Sequence, residues 1–189
     1  MSKVFSSTSG WFFQLLLSAL TYSILFYCNS AVASSLTFGT GVNWIYLPAG
    51  LRLFLTLIFG LCGAIGIAIA SFLISYYGDF PQDLTLCIGI GLISGFAPYL
   101  ARVFILKNIQ LESDLSNLNI YKLGICILVY AFLSAGLHQW WFSTMGLNEA
   151  GTLDHFGVMV FGDVLGSLLL IAVVKSGIDL FKRFKQTAR

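Results

Sequence analysis

Asp163 lies within an apolar run, Gly-Val-Met-Val-Phe-Gly-Asp-Val-Leu-Gly-Ser-Leu over residues 157–168, and Arg52 lies within another. An ionised side chain in such surroundings is costly unless it is paired or faces a polar interior. Counted as helix from Asn43 and from His155, each charge falls ~12 Å below its helix start, at ~1.5 Å per residue. Equal depth predicts an ion pair or a shared water. Pro48, four residues before Arg52, shares its face. Inside a helix it would free a backbone carbonyl and open the helix toward a ligand; at a helix start it would do neither. His138 and Gln139 come ~6 Å shallower on the same rise, with no serine or cysteine in register to make a nucleophile–base pair.

Two roles fit these residues. Arg52 and Asp163 either staple a bundle together, or line an outward-facing pocket for a small polar or anionic molecule together with Pro48 and His138. A metal site from His138, Asp154, His155 and Asp163 has no ligand-spacing motif behind it, so neither metal nor cofactor is expected. There is no G-x-S-x-G, H-E-x-x-H, phosphate-binding loop or dinucleotide fingerprint, so no enzyme is expected.

The elements that hold these residues must be membrane helices. Of 189 residues, 58% are hydrophobic and 10% charged, with a mean hydropathy of +0.88. Soluble domains carry roughly 25% charged residues. The chain is therefore expected to be a single integral membrane domain over 1–189, all-α, a polytopic helix bundle with the lipid bilayer as its main partner. Cys28, Cys62, Cys87 and Cys126 are scattered singly, which points to neither a zinc site nor a disulfide framework.

Crossing the hydrocarbon core takes about 20 apolar residues. The segments are 11–28, 43–60, 61–77, 84–106, 120–142 and 156–181. The run 43–77 reads either as one long helix or as two short ones with a tight turn at Gly60–Gly63. Charge decides. Lys107, Lys122 and the tail Lys175, Lys182, Arg183, Lys185 and Arg189 contrast with Asp79 and Asp83 in one loop and Glu149 and Asp154 in another. Six spans with Lys3 inside put the basic clusters inside and the acidic loops outside. This predicts a bacterial inner-membrane protein with both termini cytoplasmic. The alternative start is a cleaved signal peptide over 1–33, ending at Ala31-Val32-Ala33. Arg102 and Lys175 fall near the inner boundary, where snorkelling accounts for them. The basic tail suits anionic headgroups, and no nucleic acid is expected.

Small residues recur at helical spacing: Gly91/Gly95, Gly162/Gly166, Gly60/Ala64/Ala68 and Cys62/Gly66/Ala70. Such stripes let helices approach closely in lipid. They predict internal packing, with a dimer face as the minor alternative. Trp44, Trp140 and Trp141 fall near the outer boundary, as an aromatic belt would.

Two stretches carry a resemblance. Trp44-Ile45-Tyr46-Leu47-Pro48-Ala49-Gly50 and, later, Phe161-Gly162-Asp163-Val164-Leu165-Gly166 resemble, in order, two motifs of the bacterial membrane-associated sensor domain family, first MASE type. The likeness spans roughly 11–174. It puts Pro48, Gly50, Gly162, Asp163 and Gly166 on motif positions. It implies a sensory input domain, one that usually precedes a histidine kinase or a cyclic-dinucleotide enzyme. Family members usually have about eight spans, and Phe161 stands where they carry Trp. No output domain follows Lys185 in the sequence, so the resemblance implies a separate signalling protein as partner. The resulting expectation is a sensor-like membrane domain. A small-solute transporter subunit and a structural or assembly subunit are the alternatives.

Overall fold

The computed structural model describes residues 8–187, apart from 79, 110, 113, 148 and 149. Lys3, Asp79, Glu149 and Arg189 therefore lie outside the described residues. Six helices are present: α1 (Thr8–Ala33), α2 (Leu47–Phe59), α3 (Leu61–Tyr77), α4 (Leu84–Asn108), α5 (Ile120–Thr144) and α6 (Leu153–Thr187). Between α1 and α2 a 3-10 turn leads into two short antiparallel strands, β1 (Thr37–Gly39) and β2 (Val42–Asn43). The fold is all-α apart from this small hairpin. The helices α1, α4, α5 and α6 are long and apolar enough to cross a membrane, while α2 and α3 are shorter. This is the build of a helical membrane protein.

Local chemistry accounts for the helix ends. Asp83 accepts a hydrogen bond from the Leu86 N–H (2.9 Å) and caps α4. Asn119 does the same for α5 through the Lys122 N–H (2.9 Å). Thr152 Oγ1 accepts from the His155 N–H (3.2 Å) at the start of α6. These caps satisfy donors that a helix start leaves unpaired. The run 43–77 divides at Gly60, whose φ of +57° suits glycine alone at low cost. The chain then turns back, so that a methyl group on Gly63 would meet the Leu55 carbonyl oxygen at 2.6 Å. In the loop before α5, the Ser116 N–H donates to Asp114 Oδ1 (3.0 Å), which holds that carboxyl below its usual range.

Two expectations need correction. The second helix starts at Leu47, not Asn43, because Asn43 ends strand β2 and 44–46 continue without helix. Pro48 accordingly stands in the first turn of α2, where its missing N–H costs nothing. It starts the helix and does not open it.

The glycine stripes pack within the chain. Gly66 of α3 abuts the Leu15 carbonyl of α1, and Gly95 of α4 abuts the Ala64 carbonyl of α3. A methyl on Gly91 would meet the Ala68 carbonyl at 2.7 Å. The far half of the bundle is a dry core of Leu53, Leu57, Ala101, Ile105, Cys126 and Ile127. Arg102 tucks its guanidinium against the Gly60 turn, where a methyl would meet Nη1 at 3.4 Å. Its Nε is buried without a hydrogen-bond partner. Lys175 is exposed.

Candidate functional site

The two stretches singled out by sequence meet. The Tyr46 N–H donates to the Gly162 carbonyl (3.1 Å), and the rings of Trp44 and Phe161 stand edge to face at 6.3 Å. Gly162 abuts the Asn43 carbonyl and Gly166 the Tyr46 carbonyl. Further along, a methyl on Gly50 would meet Ser167 Cα at 2.8 Å. Gly162 and Gly166 were expected to face a neighbouring helix. They face the extended stretch 43–46 instead, because only glycine lets bare backbone lie flat on α6 there. This seam anchors the start of α2. From α1, Asn29 Oδ1 adds an acceptor for the Leu47 N–H (3.1 Å).

The seam fixes the relative height of the two buried charges. Asp163 is level with 43–46, whereas the Arg52 backbone lies more than a turn further along α2. The matched backbone depth expected from helix counting therefore does not hold, because 43–46 is not helical. Side chains on a helix tilt toward its N-terminus. Arg52 accordingly reaches back until its Cζ lies 4.8 Å from the Tyr46 ring centroid and 5.7 Å from that of Tyr22. Those two phenols contact each other, OH to OH, at 3.2 Å. Arg52 is 2% exposed and Asp163 1%.

Among the described residues the expected direct ion pair is not formed. Arg52 Nε and Nη1 and Asp163 Oδ2 are buried with no hydrogen-bond partner, as are Tyr130 OH and Ser134 Oγ. Buried polar groups in folded proteins almost always find partners. A cluster of unsatisfied ones therefore calls for something to fill it, a solvent molecule or a ligand.

His138 does have a serine in register, contrary to expectation. Its Nε2 lies 3.3 Å from Ser94 Oγ and its Nδ1 lies 2.9 Å from the Ser134 carbonyl oxygen. A carbonyl only accepts, so Nδ1 carries the proton and Nε2 accepts from Ser94. Ser71 then donates to Ser94 (2.9 Å). The chain Ser71–Ser94–His138 thus crosses α3, α4 and α5, with the imidazole at its end. Pro98, one turn after Ser94, lacks the N–H that the Ser94 carbonyl would otherwise receive. The sequence carried only a faint sign of Ser94: a small residue beside Gly95 on the stripe that packs under α3.

These groups line one cavity of about 620 Å³. Its inner end is formed by Arg52, Ser71, Ser94 and His138, and its outer end by the hairpin and the last turns of α1. Pro48 and Asp163 stand behind this lining, Pro48 setting the start of α2 and Asp163 facing the Arg52 cluster. Gln139 is also spent on structure, its Oε1 accepting from the Gly151 N–H (3.0 Å). His155 meets Phe38 edge to face at the hairpin (5.0 Å between ring centroids). Among the described residues no three His, Cys, Asp or Glu side chains gather as metal ligands, so His138, Asp154, His155 and Asp163 do not form one site. All four cysteines are free thiols.

Comparison with known protein families, with curated proteins and with solved structures found no match to this chain. The fold and site define a helical membrane protein with a polar cavity near one end.

Proposed function

We propose that this chain is a multi-pass bacterial inner-membrane protein that senses a small polar or anionic molecule held at Arg52. The observation that carries this reading is a cavity lined in part by a buried guanidinium whose Nε and Nη1 have no partner. Its lining stops at Arg52, Ser94 and His138, and beyond them the bundle is solid with Leu53, Leu57, Ala101 and Ile105. Packing of this kind next to the cavity favours holding a ligand over passing it through. Helix α6 carries Asp163 beside the site and runs on to Thr187, exposed throughout 172–185. Such a rod suits transmission to a signalling output. The likeness of the Trp44–Gly50 and Phe161–Gly166 stretches to the membrane-associated sensor family, first MASE type, supports the same reading.

On this reading α2 and α3 each cross the membrane, giving six passes with both termini cytoplasmic. Reporter fusions after Tyr77 and near Glu149 should then report the outside, and fusions after Lys107 and Arg189 the inside. An external C-terminus would sink the arrangement. Sensing is tested against transport in proteoliposomes. Labelled small carboxylates are expected to bind saturably without accumulating above protein-free vesicles. Accumulation that disappears in Arg52→Gln would make the protein a transporter.

A further inference from the structure

The walls of the cavity narrow the ligand class, an inference that rests on Arg52 being the anion-binding group. Arg52 is the sole arginine or lysine among the residues lining the cavity. A doubly charged anion such as phosphate would therefore leave a charge unpaired in a medium where that is costly. A single carboxylate matches the guanidinium in both charge and shape. Asn29 also lines the cavity, and its Oδ1 accepts from the Leu47 N–H, which leaves its Nδ2 as a further donor in the wall.

The remaining walls combine small polar residues, Ser30, Thr37, Thr40 and Ser75 among them, with large rings. Phe26, Tyr27, Phe38, Phe80 and Phe142 surround the space above Arg52. A cavity of about 620 Å³ falls within the range of pockets that bury whole organic ligands, roughly 300–1,000 Å³. Acetate would leave most of it filled with water against aromatic rings. We infer that the cavity takes a monocarboxylate with a ring-sized apolar body, its carboxylate on Arg52 and its body among these rings.

The test uses the purified full chain in detergent, titrated calorimetrically with benzoate, acetate, inorganic phosphate and benzamide. Benzoate is expected to bind at least about tenfold more tightly than acetate or phosphate, since burying the ring adds apolar area. Benzamide, which has the ring but no charge, should not bind measurably, and Arg52→Gln should abolish benzoate binding. Should Arg52→Gln fail to fold, Tyr27→Ala decides. Tyr27 is 61% exposed, so its loss spares the bundle. That variant should narrow the benzoate-to-acetate ratio several-fold with acetate unchanged. Acetate or phosphate binding as tightly as benzoate, all through Arg52, would overturn the apolar-body inference and leave anion sensing standing. An unchanged ratio in Tyr27→Ala would also overturn it. Benzamide binding as well as benzoate, or no response to any of the anions, would overturn both.

Discussion

Gly166→Ala is expected to cost most of the folded yield in detergent, and Gly166→Leu all of it. At an ordinary helical position glycine-to-alanine stabilises by roughly 0.5–1 kcal/mol. At Gly166 the new methyl would fall on the Tyr46 carbonyl, on its carbon as well as its oxygen, and within 2.8 Å of the Leu47 nitrogen. Those atoms are backbone and have no rotamer by which to withdraw. The stretch 43–46 must move off α6, and the start of α2 moves with it. Overpacking of this kind costs about 1–3 kcal/mol or more. The seam's hydrogen bond from Tyr46 to Gly162 would be strained in addition. The internal control is Gly177, on the same helix, where an added methyl meets nothing within 4 Å. Gly177→Ala should match or exceed the wild type in thermal stability. Equal stability of Gly166→Ala and Gly177→Ala would mean that the seam opens in solution.

The sequence made some of this architecture visible because membrane helices leave strong signals. Length, hydropathy and the spacing of Gly91/Gly95 and Cys62/Gly66/Ala70 point to close intrachain packing, which the structure contains. Gly60 marked the break in 43–77 for the simple reason that a positive φ needs glycine. The Trp44–Gly50 and Phe161–Gly166 stretches stood out separately, and they form the two sides of one seam. What the sequence hid was the extended stretch 43–46, whose residues are apolar enough to continue a helix. Reading it as helix misplaced the start of α2, the role of Pro48 and the relative depth of Arg52 and Asp163. The relay of Ser71, Ser94 and His138 was hidden for another reason. It joins three helices, and two lone serines in apolar helices look the same whether or not they meet a histidine. The Tyr22 and Tyr46 rings on Arg52 were likewise invisible, because their positions depend on how α1 leans over the hairpin.

Arg52 and Asp163 are expected to be coupled although they do not touch. Each is nearly fully buried, and each keeps polar atoms without partners. Arg52→Gln leaves Asp163 uncompensated among apolar side chains and removes the cation that rests on the Tyr22 and Tyr46 rings. Asp163→Asn leaves the guanidinium uncompensated while keeping the shape of the side chain. By analogy with broken buried pairs, each single change should cost about 3–5 kcal/mol, with Arg52→Gln the worse of the two. The double variant should cost clearly less than the sum. The measurement is a double-mutant cycle on thermal stability in detergent. Because the charges do not touch, their coupling should fall between about 0.5 and 3 kcal/mol, short of what a contact pair could give. A coupling near zero would mean that the charges are compensated separately, Asp163 by the Tyr130–Ser134 side of α5 and Arg52 by the two tyrosine rings. The same double variant separates staple from sensor. If it is stable yet no longer responds to carboxylates, Arg52 serves a ligand. If it binds them as the wild type does, the pair only holds the bundle together and the cavity reads its ligand through other groups.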